Sequence, residues 1–424
     1  MTRPELARGQ GAEASDMAAG HHEIEKRGLP GPLSFLREEA GFVAGVAVTV
    51  VAMLFADEVH ATLDNVALGL PAFLVLFGVM LWCAFGVVRH ADSLAVLLGE
   101  PYGTLILTLA VIGIEVALIA ALMLTGKSSP ETARDTMMSV LMIVLCGMVG
   151  LTLLLGGWRH IEQSHNLQGA TAFLSVLVPL AVLSLILPRY TTTTAEPTFS
   201  AAQAIYFSLA SIFLYGIFLA MQTVRHGDFF RPPAAPFSSA TRHGEEAAEE
   251  SSVSHDHGDL VLRPTAWHAV MLLGTLLPII LLSKTLAKFV DYGTTELDLP
   301  AALGGLLIAI LVLTPEGLGA VKAALGNQIQ RSVNICLGSA LATIGLTVPA
   351  VLVIGLVTAQ PVVLGLPPAK EILLLLTLGV SIVTFLSGRT NMLLGAVHLV
   401  IFATYIVLIF DSPIATPDLP AGAE

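Results

Sequence analysis

Glu115 and Glu316 are carboxylic acids placed where hydrocarbon would otherwise be expected. Glu115 lies near the middle of the apolar stretch 104–124 (TLILTLAVIGIEVALIAALML), and Glu316 follows the apolar stretch 301–313 (AALGGLLIAILVL) within the string TPEGLGA. A charge at mid-membrane costs roughly 2.5–3.5 kcal/mol on insertion scales, so it is kept mainly where it handles ions, protons or substrate. A serine follows each acid at nearly the same distance, Ser139 in the first half and Ser339 in the second. Two such carboxylates brought together would form a hard, oxygen-rich, doubly negative pocket. That chemistry suits Ca²⁺, which accepts several oxygens in flexible geometry, and also serves Na⁺ or K⁺. Ser139, Ser339, Thr108 and Thr343 are the candidate neutral ligands, with carbonyls freed near Pro315.

The elements that must hold these residues are membrane helices. The chain has 424 residues, 55% hydrophobic and 12% charged, about half the charge of a soluble protein of ordinary composition. Apolar runs near the ~20 residues that cross hydrocarbon recur along the whole length. The pattern predicts an all-α polytopic membrane protein with eleven transmembrane helices, at about 41–56, 66–88, 104–124, 136–156, 171–188, 200–222, 266–284, 301–321, 332–356, 370–387 and 391–410. The eighth is expected to be interrupted at Pro315, Gly317 and Gly319. The net charge of −12 argues against nucleic acid as a partner. Membrane lipid, inorganic cations and protons are the expected partners, and a homo-oligomer is an option. Cys83, Cys146 and Cys336 lie far apart in apolar segments and read as core hydrophobes. No cofactor and no removable signal peptide are expected.

Lys and Arg orient the bundle. With the N-terminus in the cytoplasm, 14 fall inside and 6 outside, the asymmetry that bacterial inner-membrane proteins show. The domain reading is an N-terminal tail (1–40), a first helix (41–56), a five-helix repeat (66–222), an acidic, His-containing cytoplasmic linker (223–265), a second five-helix repeat (266–410) and a C-terminal tail (411–424). Five is odd, so the two repeats insert with opposite orientation, the arithmetic of an inverted-repeat transporter.

Charge balance then suggests coupling. The empty pocket carries −2 and is costly to occlude, whereas one Ca²⁺ or two protons neutralise it. Exchange of cation for proton is the expectation. Exporting two charges against the membrane potential costs roughly 4.6 kcal/mol per 100 mV, so two protons per Ca²⁺ would be electroneutral.

Other residues carry weaker signals. His398, in the last span, could relay protons. His90, Asp92 and Glu100 fall together in an expected cytoplasmic connection and could gather protons or cations. His243, His255, Asp256 and His257 in the linker are expected to be solvated. Arg134 is expected to serve an outer loop, and Arg389, Thr390 and Asn391 a short turn.

The strings LLGEPYGTLILTLAVIGIE, TPEGLGAVKAALGNQIQRSVNICLGSALA and SGRTNMLLGAVHL resemble the calcium/proton antiporters of the cation/calcium exchanger superfamily, in particular their bacterial ChaA-like branch, from about Arg89 to Phe410. The resemblance implies exchange of Ca²⁺, Na⁺ or K⁺ for H⁺, with Glu115 and Glu316 as the cation- and proton-binding acids and Ser139 and Ser339 as the repeat serines. The chain departs from the family pattern at Ile112 and Leu313, where an asparagine usually precedes the acid, and at Ile143 and Ala342, where amides often stand. That shell is poorer in oxygen and leaves room for monovalent cations. A passive cation channel and an intramembrane enzyme built on the two carboxylates are the competing readings. The chain has no GxxxxGK[ST] phosphate loop, which disfavours an ATP-driven pump.

Overall fold

In a computed structural model, residues 30–61, 66–99, 102–124, 130–233, 262–297, 299–300 and 302–411 are described. They form helices α1 (Pro32–Glu38), α2 (Ala40–Leu54), α3 (Ala56–Ala61), α4 (Val66–Leu98) and α5 (Tyr102–Leu124). Continuous helical runs follow as α6 (Thr132–His160), α7 (Leu167–Tyr190) and α8 (Ala201–Arg225). The second half contributes α9 (Thr265–Thr295), α10 (Ala302–Leu325), α11 (Ile329–Thr358), α12 (Pro368–Phe385) and α13 (Met392–Ile409). Every expected span falls on one of these helices. Among the described residues nine are long and apolar enough to cross a membrane, and α2 is a shorter apolar helix. The rows Ile205, Leu209 and Phe213 on α8 and Leu393, Val400 and Val407 on α13 face outward. An apolar exterior of this kind is what lipid wets, and the chain is an integral membrane protein.

Local sequence sets the helix ends. Asn166 caps α7 by accepting from the Gln168 amide at 3.0 Å. Ser200 and Gln203 form a reciprocal capping box at α8, and Asn391 caps α13 through the Leu394 amide. Each satisfies a backbone donor that the helix itself leaves open.

The apolar interior divides into two bodies. The larger is built from α6, α7, α8, α11, α12 and α13 together with one face of α5 and of α10. The smaller joins α4 and α9, with α2 against them, to the opposite faces of α5 and α10. The helices that carry the two glutamates are therefore the seam. Packing across the halves is reciprocal: α4 lies on α9, α5 on α10, α10 on α6, and α5 on α11. At one seam contact a Cβ on Gly305 would fall 2.6 Å from the Thr136 amide nitrogen, so glycine is what lets α10 approach α6.

Several expectations are corrected. Pro315 does not interrupt its span, because α10 runs through it unbroken. A proline inside a helix removes one N–H donor and clashes with the preceding turn, but packing can hold the helix continuous. Breaks in α-geometry occur instead as π-helical turns, one in the third span of each half at Ile143–Met148 and Thr343–Thr347, with others at Val182–Ile186 and Met221–Arg225. His90 and Asp92 are not in a loop; α4 extends to Leu98 and carries both.

Arg134 is buried and pairs with Asp135 (3.1 Å) and Glu131 (2.9 Å), while Lys370 completes the group on Asp135 at 3.0 Å. Arg389–Asn391 is a strand, β2, paired antiparallel with β1 (Glu162–Ser164), a small exception to the all-α reading. The ends of the supposed linker are ordered: Phe230 is buried against Phe173 and Phe218, and Arg263 is buried at the entry to α9. Glu100, His243, His255, Asp256 and His257 lie outside the described residues. The three cysteines are buried and free.

Candidate functional site

Glu115 emerges from α5 into the seam and is buried. Its Oε2 accepts a hydrogen bond of 3.0 Å from the Thr343 hydroxyl. Thr343 belongs to the opposite half, in the π-turn of α11, and Thr347 at the end of the same turn faces the same carboxylate. The Thr347 hydroxyl and the second carboxylate oxygen, Oε1, are buried without a hydrogen-bond partner.

Glu316 projects from α10 toward Ser339 of α11, and its buried Oε2 likewise has no partner. The two carboxylates stand within electrostatic reach of each other. Two unpartnered carboxylate oxygens in an apolar seam are an expensive arrangement for a fold to keep. The pocket offers carboxylate, threonine and serine oxygens and no protein cation among the recorded contacts of either acid.

The π-turn of α11 is met by a side chain from another helix: Ser211 of α8 reaches the Ile344 carbonyl at 3.5 Å. A π-turn misaligns the regular ladder and leaves carbonyls to be met this way, and such turns recur at functional sites. Sequence reasoning missed them: neither segment carries a proline, and the single glycine in each, Gly147 and Gly345, is of a kind frequent in membrane helices.

The remaining candidates scatter. Ser139 is not free to act as the counterpart of Ser339: its hydroxyl donates to the Asp135 carbonyl at 2.7 Å and lies 2.6 Å from the Tyr405 hydroxyl. Thr108 sits by Tyr215, about two helical turns from Glu115. His398 is fully buried, with Nε2 2.9 Å from the Thr384 hydroxyl, away from both glutamates in its recorded contacts. Asp92 lies in the field of Glu316 and of Arg331, on the route from the end of α4 to the seam. His90 turns the other way, toward Glu39 and His268. Tyr405 is the residue that spacing alone did not single out. Among the described residues no group of three or more His, Cys, Asp or Glu side chains is arranged to hold a metal ion.

Residues 68–224 and 267–410 match the sequence pattern of the sodium/calcium exchanger protein family. The chain belongs to that family. The two matched blocks cover both halves and omit the segment between them. The sodium-potassium/proton antiporter ChaA of Escherichia coli is 41% identical over 337 residues, 80% of this chain and 88% of that one. A Ca²⁺/H⁺ antiporter of Synechocystis is 26% identical over 268 residues, 62% of this chain and 70% of that one. Among solved structures, native YfkE superimposes with a TM-score of 0.64 at 16% identity, covering 88% of this chain and 98% of that chain. The likeness to YfkE is one of fold: the polytopic helical architecture is that of a cation exchanger.

Proposed function

We propose that the chain is a secondary active antiporter that extrudes Ca²⁺ and/or Na⁺ and K⁺ in exchange for H⁺ by alternating access. The cation and the protons compete for Glu115 and Glu316, with Thr343 and Ser339 supplying neutral oxygens. The observation that carries this reading is the pair of buried, unpartnered carboxylate oxygens, Oε1 of Glu115 and Oε2 of Glu316, placed where α5 and α10 divide two apolar bodies. Empty and ionised, the pair is a double negative charge that low-dielectric surroundings penalise. A divalent cation or two protons remove the penalty, so only loaded states pass readily through the occluded seam.

Family membership and the names of the relatives support exchange; they leave the cation open. The oxygen set supports either class, because the side chains at Ile112, Leu313, Ile143 and Ala342 add no polar ligand. The distribution of Lys and Arg supports a cytoplasmic N-terminus, and the bacterial relative supports the inner membrane as its location. The halves 66–222 and 266–410 are read as inverted repeats, with the reciprocal packing of α4 on α9 and α5 on α10 in support. The chain carries out no covalent chemistry in this reading.

Everted membrane vesicles with a preformed pH gradient test it. Addition of Ca²⁺, Na⁺ or K⁺, each alone, should dissipate the gradient for at least one cation. Glu115→Gln and Glu316→Gln should each abolish that response. A gradient indifferent to all three cations, or dissipation that survives either substitution, overturns the reading.

A further inference from the structure

A second group of titratable side chains lies outside the seam, where α1 meets α2. Glu39 is buried at that junction, His90 is buried on α4, and His268 and Arg263 are buried at the start of α9. Their contacts form one chain. The backbone N–H of Arg263 donates to Nε2 of His268 at 3.0 Å. Nδ1 of His268 lies 3.1 Å from Nδ1 of His90, and Nε2 of His90 lies 3.1 Å from Oε2 of Glu39.

The directions of these bonds are determined. A backbone amide can only donate, so Nε2 of His268 carries no proton, and the proton of neutral His268 sits on Nδ1. That proton is donated to Nδ1 of His90, which leaves His90 protonated on Nε2 and donating to the Glu39 carboxylate. The reverse assignment would point an N–H of His268 at the N–H of Arg263. It is excluded by geometry, as is any role for His90 Nε2 as acceptor of the nearby Arg89 guanidinium at 3.3 Å.

In this state every ring nitrogen is used once and both imidazoles are neutral. Charged groups stand around them: Arg89 pairs with Glu39 and donates to the Glu38 carbonyl at 2.7 Å, and Arg263 pairs with the Glu38 carboxylate at 2.6 Å.

We propose that this chain is a second proton-binding site, a latch that holds α1 and α2 to the ends of α4 and α9 and opens when one proton enters it. A proton added to His90 occupies Nδ1 and sets two N–H groups against each other across the 3.1 Å contact. A proton added to His268 occupies Nε2 and sets one against the Arg263 amide. Either way one hydrogen bond of the chain becomes a repulsion between two N–H groups. The latch joins the N-terminal helices to the two long helices of the smaller apolar body. It is independent of the transport reading and takes H⁺ alone as its ligand.

Trp267 reports on it directly, because its ring stands edge-on to Phe35 of α1 at 6.0 Å. The full chain in lipid nanodiscs, with Trp82→Phe and Trp158→Phe so that Trp267 is the sole indole, should show a reversible red shift of emission and increased acrylamide quenching on acidification from about pH 8 to about pH 5. His90→Gln and His268→Gln, each in that background, should lose the response. Emission that stays constant in the parent over that range overturns the proposal, as does a response that survives in either folded variant. If one variant aggregates, the parent titration and the other variant decide.

Discussion

The Thr343 hydroxyl donates to Oε2 of Glu115 at 3.0 Å across the boundary between the two halves of the chain. It is the shortest recorded link between the acid of one half and the π-turn of the other, and it aims one carboxylate oxygen while leaving the second open.

Loss of that hydroxyl should weaken cation binding. A hydrogen bond to a charged group contributes about 1.5–3 kcal/mol, so Thr343→Val should raise KM for the transported cation by about 10- to 100-fold. Thr343→Ser should recover most of the loss. Initial rates in everted vesicles measure both, and an unchanged KM in the valine variant would remove Thr343 from the site.

The two repeat serines should separate. Ser339 faces Glu316, whereas Ser139 is occupied by Asp135 and Tyr405. Ser339→Ala should therefore raise KM, by about 10-fold if its bond resembles that of Thr343. Ser139→Ala and Tyr405→Phe should each lower thermal stability by about 1 kcal/mol and leave KM near that of the parent. Equal KM effects at both serines would contradict the asymmetry.

If the glutamates are kept for transport and not for folding, neutralising them should stabilise the empty protein. Glu115→Gln and Glu316→Gln should raise the apparent melting temperature by a few degrees without cation, since each removes a buried charge. They should also abolish any cation-dependent rise in that temperature. A lower melting point in both would instead mark the acids as a structural pair.

Glu39 gives a pH dependence with a definite sign. Burial pushes its carboxyl up, but the hydrogen bonds from His90 and Arg89 and the charge of the Arg89 guanidinium outweigh that and hold it below the ordinary 4.5. A depressed folded value means the unfolded chain takes up the proton first as pH falls. The stability contributed by Glu39 is thus full above 4.5 and fades as pH drops through the lower folded value. Glu39→Gln should melt below the parent at neutral pH, with the gap closing only in strong acid. Melting curves of both proteins from neutral pH to below 4.5 check the sign.

Much of the architecture was legible without coordinates, because crossing a bilayer demands long apolar runs and leaves little freedom in where they start and stop. All eleven segments fall on helices, and the two acids were conspicuous because hydrocarbon makes them costly. Thr343 was nameable as a hydroxyl on the right helix. Pro315 misled, since a helix packed on both sides tolerates a proline that an isolated one would not. His90 and Asp92 were read as neighbours because they are close in sequence. Two residues apart on a helix, they point to different faces, and the fold sends one to Glu39 and the other toward Glu316.

Composition and pattern alone established a helical membrane protein and made one acid conspicuous in an apolar stretch of each half, since those features follow from the cost of placing polar groups in lipid. Which hydroxyls meet those acids was settled only by packing. Ser139 and Ser339 are equivalent in sequence, yet only Ser139 meets the hydroxyl of Tyr405, 266 residues away. The π-turn that carries Thr343 and Thr347 was decided there too, because it is met by a contact from another helix and leaves no mark on local spacing.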